Sequence, residues 1–229
     1  MKTKIIVFSV ALLWVFCAFC APCRCEENPA AGTVSKTFQE KDFSYLAGMK
    51  GFSENMLSDH LKLYKGYVAN SNTLIEKLSA LADEGKARTP EYAELKRRLG
   101  WEMNGMKLHE LYFSGLGKDG VIDENSALYK DITTNYGGFE KWKQDFVSTG
   151  AMRGIGWVVL YREPGTGRMI NAWINEHDTG NFAGWDPILI MDVFEHAYMT
   201  DYRLDRAGYM EAFFANINWE EAERRLKDN

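Results

Sequence analysis

Beyond residue 25 the chain has no cysteine. All four cysteines of its 229 residues, Cys17, Cys20, Cys23 and Cys25, lie at the start. That excludes a disulfide framework and any thiolate metal site from the rest of the sequence. Cys20 and Cys23 have redox-pair spacing but sit in an apolar leader, a poor place for such chemistry. Basic charge is not in excess: the formal net charge is −5, which gives no basic face for nucleic acid. Histidine is scarce at four residues, so each can be weighed separately. There is no glycine-rich phosphate loop, no His-x3-His zinc helix and no pair of catalytic carboxylates. Internal repeats and low-complexity tracts are also absent. What remains is ordinary globular composition, 46% hydrophobic and 26% charged, with seven tryptophans that require burial.

The first residues read as a targeting segment rather than part of the fold. Lys2 and Lys4 precede an apolar run from Ile5 to Cys20, and polar Glu26, Glu27 and Asn28 follow. This is the order of a secretory signal peptide over 1–25. The competing reading is a transmembrane anchor, but the run falls short of the roughly 20 apolar residues that span a bilayer. Cleavage would remove Lys2, Lys4 and Arg24 but no acid, leaving a more acidic mature chain outside the cell or in the periplasm, with no membrane attachment. Residues 26–42, polar and containing Pro29 and Gly32, read as a flexible lead-in.

The mature chain divides where its hydrophobic period changes. From Ser53 to about Asp83, Leu57, Leu61, Tyr64 and Val68 recur at helical spacing, continued by Leu74, Leu78 and Leu81. Asp83-Glu84-Gly85-Lys86 is a break. A second helix starts near Pro90, carries Leu95, Leu99, Met103, Met106 and Phe113, and ends near Gly115-Leu116-Gly117. Together these predict an antiparallel helical hairpin over 43–117. The remainder, 118–229, is mixed. A helix is expected from Phe139 to Thr149, then strands at Gly156–Tyr161, Met169–Asn175 and Pro187–Met191. Pro164-Gly165-Thr166-Gly167 forms a turn cluster between the first two strands. Helical patterns return at Glu195–Tyr202 and from Gly208 to the end. The fold class is therefore α+β.

Three features carry chemistry. His60 shares a helix face with Tyr64 and Tyr67, at four and seven residues. His109 sits on the inward face of the second helix, four residues after Gly105. A glycine in a helix costs about 1 kcal/mol relative to alanine, so the space is put to use. Asp192 ends an apolar strand and His196 follows four residues later. Taken singly, each histidine fits a buried core residue as well as a ligand. Taken together, buried imidazoles and a carboxylate need a cation to hold them. Nitrogen and oxygen donors without sulfur suit iron, manganese or zinc.

Asp192-Val193-Phe194-Glu195-His196-Ala197-Tyr198, with Asp201-Tyr202-Arg203 and Gly208-Tyr209 downstream, resembles the D-V-W-E-H-A-Y signature of iron/manganese superoxide dismutases. Gly154-Ile155-Gly156-Trp157 resembles the family's G-S-G-W, and Tyr67-Val68-Ala69-Asn70 its Y-V-x-N. The likeness covers nearly all the mature chain. It implies a helical hairpin followed by an α/β domain with a three-stranded antiparallel sheet. It implies one iron or manganese ion per subunit, held by His60, His109, Asp192 and His196 with a solvent molecule as fifth ligand, and superoxide as substrate. It makes Tyr67 the active-site tyrosine and Trp157 a pocket wall. It places Glu195, with Tyr198, at a homodimer interface.

The chain also departs from that family. Tyr67 follows His60 by only seven positions, where most members have one more, which predicts an uninterrupted helix where relatives carry a bulge. Tyr64 stands where many members have a gateway histidine. Phe194 replaces the signature tryptophan, and Leu108 an asparagine. The glutamine that bonds the metal-bound solvent is missing, with Gly105 at one of its two usual positions. At the other, Asn175-Glu176-His177-Asp178 offers His177. His177 is expected to fill the space beside Gly105 and bond that solvent; the alternative is an exposed loop residue. Lys62 and Lys65 could supply the local positive potential an anionic substrate needs. The activity implied is superoxide disproportionation. A metal-binding relative without turnover is the alternative, and an iron oxygenase, which leaves more coordination positions open, ranks below both.

Overall fold

A computed structural model describes residues 37–117 and 119–227. The expected leader, and the lead-in as far as residue 36, lie outside the described residues. The end of the lead-in is not flexible. Phe38 N–H donates to Asn72 Oδ1 and Phe38 C=O accepts from Asn72 Nδ2, both at 2.9 Å. Lys41 N–H donates to the Tyr64 hydroxyl at 2.9 Å. Composition suggested a loose segment; these bonds tie it to the first helix.

Helix α1 runs without interruption from Glu54 to Asp83, and α2 from Pro90 to Ser114. Ser53 caps the first by accepting from Met56 N–H, and Thr89 caps the second by accepting from Tyr92 N–H. Pro90 falls where the backbone N–H is free of helical duty. The two helices pack on each other as the predicted hairpin. The buried face of α1 is Met56, Leu57, His60, Tyr64, Val68, Ser71, Leu74 and Leu78.

The second half opens with a helix absent from the sequence expectation, α3 at Ala127–Tyr136, capped by Ser126. Its only buried residues are Leu128 and Ile132, too few for a periodic signal. Helix α4 follows at Phe139–Gly150. Strands β1 (Gly156–Arg162), β2 (Met169–Asn175) and β3 (Asp186–Asp192) form one antiparallel sheet in the order β2-β1-β3. The central strand is buried from Gly156 to Tyr161. Gly156 has φ +146°, and a Cβ there would lie 1.9 Å from the Ile174 carbonyl oxygen. Only glycine permits β2 to approach β1 that closely.

Two expectations need correction after β3. The helix expected over Glu195–Tyr202 is a 3-10 turn at Glu195–Ala197, then a four-residue helix, α5, at Met199–Tyr202. Tyr198, at φ −142°, divides them, because its buried ring stacks on Tyr209. The single helix expected from Gly208 is two, α6 at Arg206–Phe214 and α7 at Trp219–Lys227. Asn216 divides them, its amide donating to Lys50 C=O and Ala212 C=O. Helices α2 and α7 both pack against β3, which brings the second helix of the hairpin onto the end of the sheet.

Candidate metal centre

Four elements bring one side chain each to a common point. His60 comes from α1, His109 from α2, Asp192 from the end of β3 and His196 from the turn beyond it. One donor atom from each lies within 4.8 Å of the others. His60 Nε2 is 3.0 Å, His196 Nε2 3.2 Å and His109 Nε2 3.7 Å from Asp192 Oδ2. The first three residues are buried, and His196 is partly open. The β1–β3 register pairs Trp157 with Asp192, and so sets an indole beside the carboxylate.

The hydrogen bonds around this cluster orient it. Asp192 Oδ1 accepts from Phe194 N–H at 2.8 Å, leaving Oδ2 for the three imidazoles. The Asp192 carbonyl accepts from the Tyr209 hydroxyl at 2.7 Å, and Tyr209 in turn meets Tyr112 at 3.0 Å. His109 Nδ1 donates to the Gly105 carbonyl at 2.6 Å. A carbonyl only accepts, so the proton of His109 is on Nδ1 and its Nε2 lone pair faces inward. That Nε2 is buried and has no protein hydrogen-bond partner. An unpaired buried acceptor costs roughly 1–3 kcal/mol unless something binds it. The donor set fits one iron or manganese ion.

Burial and charge oppose each other here. Burial pushes the Asp192 carboxyl up, but His196 and the bonds from His196 and His60 outweigh it and hold the carboxyl well below its usual range. Burial pushes His60 down, and His109 further, so both rings favour the neutral form that ligates a metal.

A second group of rings caps the cluster. The Tyr67 ring lies over His109, with centroids 5.0 Å apart. The expectation that His177 fills the space beside Gly105 is overturned. A Cβ on Gly105 would meet the Tyr67 ring at 2.7 Å, so that space holds the phenol. The uninterrupted α1 brings Tyr67 there, seven residues after His60. Nor is His177 an exposed loop residue. It is fully buried, with Nε2 2.9 Å from the Tyr67 hydroxyl and Nδ1 3.0 Å from Trp157 Nε1. Burial pushes His177 down to about 4, and burial pushes the Tyr67 phenol well above its usual value. Phe194 stacks on His177 at 4.8 Å.

Tyr64 is buried but turned elsewhere. Its ring packs on Phe43 and Phe113, and its hydroxyl donates to Glu110 Oε1 while accepting from Lys41 N–H. Burial pushes that phenol up to about 12. Glu195 is exposed, whereas Tyr198 is buried in its own chain with its hydroxyl accepting from Arg206. Lys65 pairs with Glu40 at 3.1 Å. Lys62 and Tyr67 line a cavity of about 590 Å³ together with Arg98 and Trp101.

Sequence reasoning missed Trp101 and Glu176. Trp101 packs on His177 at 4.4 Å and on Tyr67 at 5.5 Å, and its Nε1 donates to Glu176 at 3.0 Å. Arg98 lies over its outer face at 3.8 Å. The available signal was spacing: Trp101 is four residues before Gly105 and eight before His109, on the same helix face.

Fold and site together define a metalloprotein with a mononuclear site of three imidazoles and one carboxylate, enclosed by aromatic rings. Residues 124–225 match the model of the C-terminal domain of iron/manganese superoxide dismutases. The chain is 34% identical to superoxide dismutase (Fe) of Aquifex aeolicus over 194 residues, 82% of this chain and 91% of that protein. It is 36% identical to superoxide dismutase (Fe) of Cupriavidus metallidurans over 79% of this chain and 91% of that protein. Superoxide dismutase (Mn) 2 of Haloferax volcanii is 29% identical over 81% of this chain and 92% of its own length. The chain belongs to the iron/manganese superoxide dismutase family.

Proposed function

We propose that the protein disproportionates superoxide to dioxygen and hydrogen peroxide at one iron or manganese ion held by His60, His109, Asp192 and His196. The observation that carries this reading is the buried, unpartnered Nε2 of His109, directed at a carboxylate that two further imidazoles already face. Relatives named as superoxide dismutases support it. When bound, an ion that cycles between trivalent and divalent states supplies one-electron oxidation and reduction in turn, which zinc does not.

The residues of the chain do the rest. Gly105 C=O and Phe194 N–H orient His109 and Asp192, so the donor atoms are preset before any ion arrives. Making hydrogen peroxide consumes two protons. The Tyr67 phenol is protonated at neutral pH, and burial raises it further, so it carries a proton beside the site. Trp157, Phe194 and Trp101 limit water around it. The cavity at Tyr67 carries Lys62 and Arg98 but also Asp59 and Glu102, and Arg98 pairs with Glu102 at 2.6 Å, so its charges offset one another.

Loading the mature protein separately with iron and with manganese, and following superoxide decay, tests this. Fast turnover with either metal is the expected result and identifies the working ion. Tight stoichiometric binding of both without turnover would make the chain a metal-binding relative. Exposed Glu195, next to the partly open His196, supports a homodimer joined there, and the polar sequence after the apolar run supports export with cleavage after Cys25. Intact mass and sedimentation of the exported protein check both; an uncleaved chain or a monomer would remove the corresponding proposal.

A further inference from the structure

We propose that Tyr64 is a positioning residue: with Glu110 it latches residues 38–52 across the helical hairpin, and that segment, through Phe43 and Phe113, holds the rings of His60 and His109 in place. This rests on the reading of the four donors as a metal site. Tyr64 lies one turn beyond His60 on α1, and Glu110 directly follows His109 on α2. The Tyr64 hydroxyl accepts from Lys41 N–H at 2.9 Å and donates to Glu110 Oε1 at 3.3 Å. Glu110 Oε2 lies 3.0 Å from both Lys41 Nζ and Lys107 Nζ. Glu110 is buried, and a buried carboxylate is costly unless paired. Two of its three partners come from outside its own helix, one of them from the segment, so its burial depends on the segment being docked.

The segment has little regular structure of its own, a single 3-10 turn at Ser44–Leu46. The two long helices give it its course. Phe38 bonds Asn72 and carries Lys107 over its ring at 5.5 Å. Lys41 meets Tyr64 and Glu110, and the Tyr45 hydroxyl donates to Phe113 C=O at 3.3 Å. The chain thus runs antiparallel to α1 and alongside α2 in its own direction, bridging them at each step. Phe43, Leu46, Met49 and Phe52 are buried beneath it, and that apolar area drives docking. The exposed Glu40–Lys65 pair adds little.

Packed rings carry the effect inward. The Phe43 ring lies 5.6 Å from Tyr64 and 5.2 Å from Phe113. The Phe113 ring is set edge-on to His60 at 4.9 Å and lies 6.0 Å from His109. Tyr112 packs on His60 as well, at 5.3 Å, so that imidazole is wedged between two rings of α2. Phe43 backs one of them. Cores packed to crystal density transmit such contacts: a loosened segment frees Phe113, and Phe113 frees the His60 ring. Linkage makes the coupling reciprocal. The factor by which docking strengthens metal retention equals the factor by which bound metal strengthens docking.

The test reads both ends of the coupling in the mature chain, with and without bound iron or manganese. Docking is followed by hydrogen exchange of the Leu46 and Met49 amides, which bond inside the segment to the Phe43 and Leu46 carbonyls. Retention is followed as the rate of metal loss to excess chelator. In the parent, exchange at these amides is expected to be slower with metal than without. Tyr64→Phe keeps the ring and removes both hydroxyl bonds. It is expected to speed metal loss by about 10-fold, the lower end for groups just outside a metal site, and to speed exchange in the segment. Asn72→Ala frees the segment at Phe38, twelve positions from His60, and should raise both rates together. Faster exchange with unchanged metal loss in Asn72→Ala would overturn the proposal, as would exchange in the parent that ignores metal. A parent that holds the ion but does not dismutate superoxide would sink the proposed function alone, and the two rates would still decide the role of Tyr64. A parent that binds no metal would overturn both.

Discussion

His109 and His177 are both fully buried, and their rings lie 6.0 Å apart, yet they differ in what their nitrogens meet. His109 has one nitrogen bound to a backbone carbonyl and the other without a protein partner. His177 has both nitrogens taken, by an indole and a phenol. The difference separates two roles that composition and burial cannot. A buried imidazole with an empty lone pair is prepared for a ligand from outside the chain. One whose bonding is complete serves to hold a neighbour.

The largest effect expected from breaking this comparison is at His109. His109→Ala removes a donor and opens a cavity beside Asp192. Metal content after purification should fall from near one ion per chain to traces, and the stabilisation that metal gives to the native state should vanish. Metal analysis and thermal denaturation with and without added ion check this. Undiminished binding would remove His109 from the ligand set.

A smaller effect is expected at Gly105. Gly105→Ala gains about 1 kcal/mol of helix propensity but places a methyl 2.7 Å from the Tyr67 ring, and overpacking costs about 1–3 kcal/mol. The net is a modest loss of stability with the phenol displaced from His109. A lower Tm and reduced turnover are the expected readings; a more stable, fully active variant would show that the phenol can move without consequence.

The smallest effect is in the pH dependence of the metal-free protein. Burial depresses His177 from its usual 6.5 to about 4, and His60 and His109 are depressed by burial too. Between those limits the unfolded chain binds protons that the folded chain refuses, so stability falls as pH drops below about 6.5. Thermal unfolding at pH 7 and pH 5 should show a lower Tm at pH 5, and His177→Asn should narrow the gap. An unchanged gap in that variant would mean that the ring titrates normally in the fold.

Much of the architecture was legible because its signals are local. The seven-residue step from His60 to Tyr67 predicts a regular α1, and that helix runs unbroken. β2 falls at the expected residues because its alternation is bounded by a turn cluster and a polar exit. α3 was not legible, since two buried residues make no stripe. The break at Tyr198 was not either, since it answers to Tyr209, eleven residues on. The four donors were legible by resemblance, and the structure brings them within ligand range of one another. The occupant of the Gly105 space was misassigned, because the sequence shows a gap but not which ring enters it.

By itself, the sequence determined the elements and the chemical inventory: two long helices, three strands, four histidines and the carboxylate at a strand end. Helix and strand periods place side chains on faces, and those periods are written within a few residues. Which nitrogen carries a proton, which ring fills a glycine's space and which lone pair is left for a metal were decided only by tertiary structure. Each depends on hydrogen bonds and contacts between groups on separate elements. Trp157 and His177 are 20 residues apart and His177 and Tyr67 are 110, and no local spacing records such a meeting.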